Sequence, residues 1–277
     1  MTRASSPITL CGSLSLHPVS LGAAMHRAAY EALGLAFVYV PFAVESKDLA
    51  GALAGMRALG IRGFGVSMPF KLEVLALCDV VDPLAQKIGA ANTLVNDDGR
   101  ITAHNTDAEG AARALEEVVT TLGGATCLVL GAGGAARAVA HGLAARGASV
   151  TLANRTDARA EALAAELGKN ATAIPWADRG ASRADVVVNA SSGGMDVGEE
   201  TPRSPLEAAS IRPGSIVMDI VYKPIETELV RAARARGATA IHGGRMLLHQ
   251  AARQLELYTG RAAPLAAMDE ALRRAIG

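Results

Sequence analysis

The first hundred residues alternate short apolar runs with alanine-rich stretches of helical period. The runs "ITLCG", "LAFVYVPF" and "IRGFGVSM" have the length and composition of buried strands, whereas "GAAMHRAAYEALG" and "SKDLAGALAGMRALG" carry apolar residues at helical spacing. Such alternation is typical of a mostly parallel sheet with helices on its faces. The pattern therefore predicts an α/β unit at the start of the chain.

After Pro69 the pattern predicts a helical patch that extends to about Ala91. Two short runs of β type then flank Asp98-Gly99, a dipeptide that favours the tight turn of a hairpin.

A second series of elements begins near Thr126. Strand-like runs ("TCLVL", "ASVTLAN", "ADVVVNAS", "SIVMDIV" and "ATAIHG") alternate with helical segments, so we predict a doubly wound sheet. The tail from Arg245 is helical and has no strand of its own. We expect one domain over residues 1–107, with helices of 244–277 packing back on it, and a second domain over 108–243.

Composition supports this plan and excludes several classes of function. A chain of 277 residues allows two modest domains, and 50% hydrophobic with only 3% aromatic residues implies an aliphatic core. Lys and Arg (27) balance Asp and Glu (27), which gives no electrostatic basis for binding nucleic acid or an anionic membrane. We expect a small-molecule ligand; composition leaves a monomer and a homodimer both open.

The cysteines and histidines point to neither a disulfide framework nor a metal site. Cys11, Cys78 and Cys127 are widely spaced among apolar residues, and no pair of histidines has metal-ligand spacing. The N-terminal sequence lacks a signal-peptide core, and no apolar run is long enough for a membrane span. We therefore expect a cytoplasmic protein without a metal.

A glycine-rich turn joins the first strand of the second series to its helix. In "LVLGAGGAARAVA", Gly131 permits a tight turn and Gly133 lets the backbone approach a pyrophosphate, which the N–H groups at the helix start can bind. A lone turn of this kind is weak evidence, but the flanking strand and helix strengthen it. The sequence predicts a dinucleotide site here.

The end of the next strand distinguishes the two nicotinamide cofactors. An acidic residue there would bind the ribose hydroxyls of NAD, but this chain has Asn154 and Arg155, with Arg159 four residues further on. Guanidinium groups suit the 2′-phosphate of NADP. We predict NADP, although Asp157 remains available as a ribose ligand.

Three polar motifs lie at the ends of apolar elements in the first half. They are "VSMPFK" with Lys71, "GAANTL" with Asn92, and "HNTD" with Asn105 and Asp107. Each alone has an ordinary structural explanation, such as a solvated helix start, a turn or an N-cap.

Together, and in this order before "GAGG", "NRTDAR", "NASSGG", "MDIVY" and "RMLLHQAA", these motifs resemble the shikimate dehydrogenase family across nearly the whole chain. The stretches "LCGSLSLHPVSLG" and "GIRGFGVSMPFK" resemble in particular its divergent shikimate dehydrogenase-like branch. The resemblance implies an N-terminal α/β substrate domain, a Rossmann-type NADP-binding domain, and reversible hydride transfer between NADP and C3 of shikimate, a cyclohexene carboxylate. It also implies roles for individual residues. The catalytic pair is Lys71 and Asp107; the substrate-binding residues are Ser20, Ser67, Asn92, Tyr222 and Gln250; the cofactor-binding residues are Gly131, Ala132, Gly133, Gly134, Ala135, Asn154, Arg155, Thr156, Arg159, Ile220 and Gly243.

Elementary chemistry agrees with the catalytic pair. Oxidation of an alcohol needs a group that removes the hydroxyl proton as hydride leaves, and reduction needs the same group to return it. A lysine beside a carboxylate can hold one such mobile proton.

The sequence departs from the family pattern at positions that would bind the substrate. Gly22 stands where the family has the second serine of a Ser-x-Ser pair, Gly65 and Ser67 replace the Asn and Thr of N-V-T-x-P-F-K, and Arg245 lies in "GGRML". Fewer polar contacts would weaken the binding of shikimate. Quinate or aminoshikimate dehydrogenases, a non-catalytic NADP-binding regulator, and an enzyme of the methylenetetrahydrofolate dehydrogenase type are the alternatives.

Overall fold

The computed structural model describes residues 8–18, 20–195 and 203–276. The chain divides into two compact units, one formed by the residues up to Thr106 together with Gln250 onward, and the other by Asp107–His249. The boundaries thus lie at 106/107 and 249/250, against expected boundaries at 107/108 and 243/244. Each unit contains one six-stranded sheet.

The sheet of the first unit is mixed. The elements of this unit are β1 (Thr9–Ser15), α1 (Leu21–Ala32), β2 (Phe37–Ala43), α2 (Leu49–Ala58), β3 (Gly63–Val66), β4 (Val80–Val81), α3 (Pro83–Ile88), β5 (Thr93–Asp97) and β6 (Arg100–His104), with 3-10 turns at Ser46–Asp48 and Glu73–Leu77. The strand order is β2-β1-β3-β5-β6-β4; β1 pairs in parallel with β2 and β3, β5 is antiparallel to β3 and β6, and β4 is parallel to β6.

The predicted hairpin joins β5 to β6. Asp98 and Gly99 have φ angles of +52° and +90°, and the Gly99 amide donates to Asn96 Oδ1 at 2.7 Å. Positive φ at both central residues matches the right-handed twist of the flanking strands, which explains why Asp-Gly occurs at this turn.

The helical patch expected between Pro69 and Ala91 is only partly present. A 3-10 turn, the short strand β4 and the six-residue helix α3 occupy this segment. Asp82 explains the division, since its side chain accepts from the Leu84 amide at 2.9 Å as the N-cap of α3, with a proline in the first turn. Apolar content alone did not separate a short strand from a helix here.

Two helices complete the chain: α8 (Gly243–Thr259) and α9 (Leu265–Ile276). Within the first unit α9 packs on α1, and α8 lies against β3, where Gly63 leaves room for an aromatic ring. A Cβ at Gly63 would lie 2.2 Å from the Tyr258 ring. The packing of α8 on this face of the sheet therefore requires a glycine at position 63.

The elements of the second unit are α4 (Asp107–Glu116), β7 (Thr126–Leu130), α5 (Gly134–Ala145), β8 (Ser149–Ala153), α6 (Asp157–Leu167), β9 (Ala171–Ala173), β10 (Val186–Asn189), β11 (Ile216–Asp219), α7 (Glu228–Ala235) and β12 (Thr239–Ile241). The strands form a doubly wound parallel sheet of order β12-β11-β10-β7-β8-β9. The five predicted strands are present, and β9 is an additional short edge strand.

The strand order reverses between β7 and β10. The chain leaves β7 in one direction through β8 and β9, and returns to the other side of β7 at β10. Open α/β sheets bind their ligands in the crevice at such a switch point, outside the carboxyl ends of the strands. The glycine-rich turn follows β7 at that edge. In the part of the chain that the structure describes, no helix is long and apolar enough to cross a bilayer.

Candidate active site

Lys71 is positioned by the turn that follows β3. Ser67 is exposed after the last residue of β3, and its amide donates to the carbonyl of Leu14 in the neighbouring strand at 3.0 Å. Phe70 is fully buried in the core of the first unit, while the carbonyl of Lys71 accepts from the Ala91 amide at 2.8 Å. The core residue and the backbone bond together fix where the lysine side chain starts.

Ser20 lies at the same edge of the first sheet as Ser67. It is the N-cap residue of α1 and follows β1, which pairs in parallel with β3, so the carboxyl ends of both strands lie on one side. Its side chain is exposed and makes no capping hydrogen bond. This leaves the hydroxyl available to a ligand.

Asn92 is the most constrained of the expected substrate-binding residues. Only 1% of it is exposed; its Oδ1 accepts from the Thr106 amide (2.7 Å), the Thr93 hydroxyl (2.9 Å) and the Thr106 hydroxyl (3.1 Å). Its Nδ2 donates to Gln250 Oε1 at 2.9 Å. Asn92 therefore orients Gln250 of α8 and the residue that immediately precedes Asp107 in the chain.

Asp107 occupies the first turn of α4 and belongs to the second unit. It is 5% exposed. A carboxylate at a helix start is stabilised by the N–H groups and the dipole of that helix. Lys71, in contrast, belongs to the first unit and is partly buried.

The turn between β7 and α5 has the geometry that a pyrophosphate site requires. Gly131 has a φ of +119°, and a Cβ there would lie 2.9 Å from the carbonyl oxygen of Ala190. At Gly133 and Gly134 a Cβ would meet nothing within 4 Å, so the first turn of α5 is open to a ligand; Ala132 and Ala135, beside them, are half-buried. These residues fit a dinucleotide phosphate bound at the helix N-terminus.

The loop after β8 presents the expected cationic groups. Arg155, Thr156 and Arg159 are exposed, and Asn154 Nδ2 donates to the carbonyl of Thr156 at 2.9 Å, which shapes the loop. Asp157, the alternative ribose ligand, instead accepts from the Trp176 amide through Oδ1 at 3.0 Å. The exposed guanidinium groups of Arg155 and Arg159 suit a 2′-phosphate, while one oxygen of Asp157 is engaged in this hydrogen bond.

Asn189 and Asp219 form a buried polar network at the carboxyl ends of β10 and β11 that sequence reasoning did not single out. Asp219 Oδ1 accepts from Asn189 Nδ2 (2.9 Å) and the Val221 amide (3.0 Å), and Oδ2 accepts from the Thr227 hydroxyl (2.7 Å). Burial raises the pKa of Asp219 to about 6, and the three hydrogen bonds act in the opposite direction. The motifs "NASSGG" and "MDIVY" therefore contain structural residues that shape this edge of the sheet.

The remaining expected residues of the second unit lie around the end of β11. Ile220 is half-buried and Tyr222 is 37% exposed. Gly243 is buried where a Cβ would approach the carbonyl oxygens of Ile220 and Val221 to 2.4 and 2.5 Å, so only glycine fits at this start of α8.

Arg245 does not project as a free cation. Its Nε donates to Glu117 Oε2 at 2.8 Å, and the same carboxylate accepts from His249 Nε2 at 2.7 Å. The hydrogen bonds from these two side chains hold the pKa of Glu117 below its usual range, against the effect of burial. This departure from the family pattern therefore forms an ion pair within the second unit.

Three family models match successive parts of the chain: the shikimate dehydrogenase substrate binding domain (residues 17–94), shikimate / quinate 5-dehydrogenase (113–231) and the shikimate 5'-dehydrogenase C-terminal domain (243–273). The chain belongs to the shikimate dehydrogenase family. The predicted family and α/β fold class are thereby confirmed.

Relatives from curated and solved proteins agree with this membership. Shikimate dehydrogenase (NADP(+)) from Moorella thermoacetica is 46% identical over 273 residues, which span 94% of this chain and 92% of that protein. Shikimate 5-dehydrogenase from Thermus thermophilus, in complex with NADP(H) and shikimate, has a TM-score of 0.88 and 39% identity, and the match covers 97% of this chain and 100% of that one.

A quinate dehydrogenase from Corynebacterium glutamicum, in complex with NAD, is also similar, with a TM-score of 0.87, 32% identity and coverage of 96% and 99%. Family membership therefore includes relatives with different substrates and cofactors. The expectation that this chain belongs to the divergent branch of the family stays a prediction.

Proposed function

We propose that this protein is an NADP-dependent dehydrogenase that transfers hydride reversibly between NADP and C3 of shikimate. The observation that carries the proposal is 46% identity over nearly the whole chain to a curated shikimate dehydrogenase (NADP(+)), combined with Lys71 and Asp107 at the matching motif positions. The first unit, with the end of α8 and with α9, is the substrate domain, and the second binds NADP.

Lys71 and Asp107 act as the acid–base pair. When the C3 hydroxyl is oxidised, the pair accepts the hydroxyl proton; when the ketone is reduced, the pair returns it to the oxygen. Two observations, each within one unit, support this role: the backbone of Lys71 is fixed by a hydrogen bond, and Asp107 lies in the first turn of α4. Bound NADP supplies the hydride acceptor.

Polar groups of the first unit bind the ring substituents and the carboxylate. Ser20 and Ser67 lie at one edge of the sheet with exposed side chains, and Gln250 is held by Asn92. Tyr222, from the second unit, completes the expected set. Asn92 is buried, and both ends of its carboxamide are engaged in hydrogen bonds. It contributes to substrate binding chiefly by positioning Gln250 and the segment that leads to Asp107.

The cofactor site uses the glycine turn for the pyrophosphate and the β8 loop for the 2′-phosphate. Gly131 to Ala135 offer open backbone at the start of α5. Arg155 and Arg159 supply positive charge, and Asn154 and Thr156 flank Arg155 in the same loop. Ile220 and Gly243 line the carboxyl edge near the end of β11.

Quinate is the second candidate substrate. Gly22 and Gly65 leave positions without the side chains that the family places there, and a quinate dehydrogenase has the same fold. An altered set of polar contacts can favour a ring with a different pattern of hydroxyl groups.

A panel of substrates tests the proposal. Purified protein is incubated with NADP or NAD and with shikimate, quinate or an aminoshikimate, and the absorbance of reduced nicotinamide is followed. We expect turnover with shikimate and NADP, at a kcat/KM that exceeds the value with quinate or with NAD. Tight NADP binding without turnover of any member would support a non-catalytic regulator and refute the dehydrogenase assignment.

A further inference from the structure

Gln254 lies one helical turn beyond Gln250 on the same face of α8, because residues four apart on a helix are neighbours. It is only 6% exposed. Its Nε2 donates to the carbonyl of Asn92 at 3.2 Å and to the Thr93 hydroxyl at 3.1 Å. The side chain therefore has one orientation, fixed by the strand that follows Asn92.

The carboxamide of Gln254 occupies the space beside Gly65. A Cβ on residue 65 would lie 3.3 Å from Gln254 Nε2, 3.5 Å from its Oε1 and 2.9 Å from the Tyr39 hydroxyl oxygen. A Cβ at position 65 would therefore crowd the Tyr39 hydroxyl and the Gln254 amide, and a side chain larger than alanine would compete with Gln254 for this space. Glycine near the end of β3 thus leaves room for an amide that α8 supplies.

The oxygen of this amide has unused hydrogen-bonding capacity. Both N–H groups of Gln254 are directed at the β5 strand and the residue before it, and in residues 8–18, 20–195 and 203–276 no group donates to Oε1. The side chain is not fully enclosed, since 6% of Gln254 remains exposed. A nearly buried acceptor without a donor is costly unless a ligand satisfies it.

We propose that Gln254 is a substrate-binding residue whose Oε1 accepts a hydrogen bond from a ring hydroxyl of the polyhydroxylated cyclohexene carboxylate. The inference rests on the proposed dehydrogenase function and adds a specificity contact to it. Gln254 adjoins Gln250 on α8 and contacts the backbone of Asn92, so it belongs to the same polar surface. An analogue without that hydroxyl leaves the acceptor unpaired and is rejected.

The test pairs side-chain changes with changes in the substrate. Gln254→Met keeps the length of the side chain but removes the acceptor, and we expect the KM for shikimate to rise by about three- to tenfold, as for one lost hydrogen bond between neutral groups, with the KM for NADP unchanged. Among analogues that each lack one ring hydroxyl, the analogue without the hydroxyl that binds Gln254 should have the same KM with the wild type and with Gln254→Met. Gln86→Ala, on the exposed face of α3, is the matched control.

A second pair of variants tests the steric relation between a side chain at position 65 and Gln254. Gly65→Asn should raise the KM strongly because the new side chain meets Gln254 and Tyr39, and Gly65→Asn combined with Gln254→Ala should recover part of the loss. Equal effects of Gln254→Met on every analogue, or no effect on shikimate, would overturn the inference while the dehydrogenase assignment stands. A wild-type protein that turns over no member of the panel would overturn both.

Discussion

His26 makes the stability of the first unit depend on pH. The residue is fully buried in α1, its Nδ1 donates to the carbonyl of Gly22 at 2.9 Å, and its ring stacks on Tyr39 with the centroids 4.2 Å apart. Its Nε2 lacks a partner in the described part of the chain. Burial lowers the pKa of His26 to about 4, and the Gly22 hydrogen bond only partly opposes this shift.

The sign of the effect follows from linkage. A histidine with a pKa near 6.5 in the unfolded chain takes up a proton there before it does so in the folded unit, so protonation favours unfolding. The contribution of neutral His26 to the free energy of unfolding is fully present above about pH 6.5 and is lost as the pH falls towards 4. With 1.36 kcal/mol per pKa unit, the loss amounts to about 2 kcal/mol between roughly pH 7 and pH 5, and to about 3 kcal/mol by pH 4.

The variant His26→Asn retains an N–H donor for Gly22 but cannot titrate in this range. We expect this variant to be less stable than the wild type near neutral pH, because it loses ring packing. The difference in the free energy of unfolding between wild type and variant should then shrink by about 2 kcal/mol at about pH 5. Urea unfolding followed by circular dichroism at several pH values measures this. Fluorescence of Trp176, the one tryptophan, reports the second unit separately. His17→Asn, at an exposed position of the same unit, is the control; parallel pH curves for wild type and His26→Asn would refute the reasoning.

Three further predictions concern the proposed site. Lys71→Ala and Asp107→Ala should each lower kcat about a hundredfold or more, the scale of lost acid–base catalysis, and near-normal turnover in Lys71→Ala would end that assignment. Arg155→Ala and Arg159→Ala should weaken NADP by about tenfold each and leave NAD little changed, as measured by fluorescence titration, since each removes a charge-assisted contact; equal weakening of both cofactors would count against a 2′-phosphate site. Gly243→Ala should destabilise the second unit by about 2 kcal/mol or more, because the new methyl group overlaps two carbonyl oxygens; an unchanged unfolding midpoint of Trp176 fluorescence would contradict this.

Local sequence rules predicted the parts of the fold that local chemistry determines. The β5–β6 hairpin follows from Asp98-Gly99, and the strand–turn–helix at β7 and α5 follows from the glycines of "GAGG". The helical patch after Pro69 was partly wrong because β4 pairs with β6 through tertiary contacts that a window of apolar residues does not contain. The edge strand β9, three residues long, was missed for the same reason.

The polar network of the first unit depends on contacts between distant segments. Asn92 and Gln250 are 158 residues apart, and neither motif indicates that their amides pair. The relation of Gly65 to Gln254 has no local signal either: the glycine was visible as a departure from the family pattern, but the side chains beside it come from β2 (Tyr39) and α8 (Gln254). Sequence patterns can thus identify a missing group, while only the packed structure shows which side chains lie next to it.

Transfer of a labelled hydride tests the central claim most directly. Shikimate carrying deuterium at C3 is incubated with the purified protein and NADP, and the reduced cofactor is analysed by mass spectrometry. The proposed function predicts deuterium in NADPH and a ketone at C3 of the product, with the rate of transfer lowered about a hundredfold or more in Lys71→Ala. NADPH without deuterium, or no reduction of NADP by shikimate at all, would contradict hydride transfer from C3.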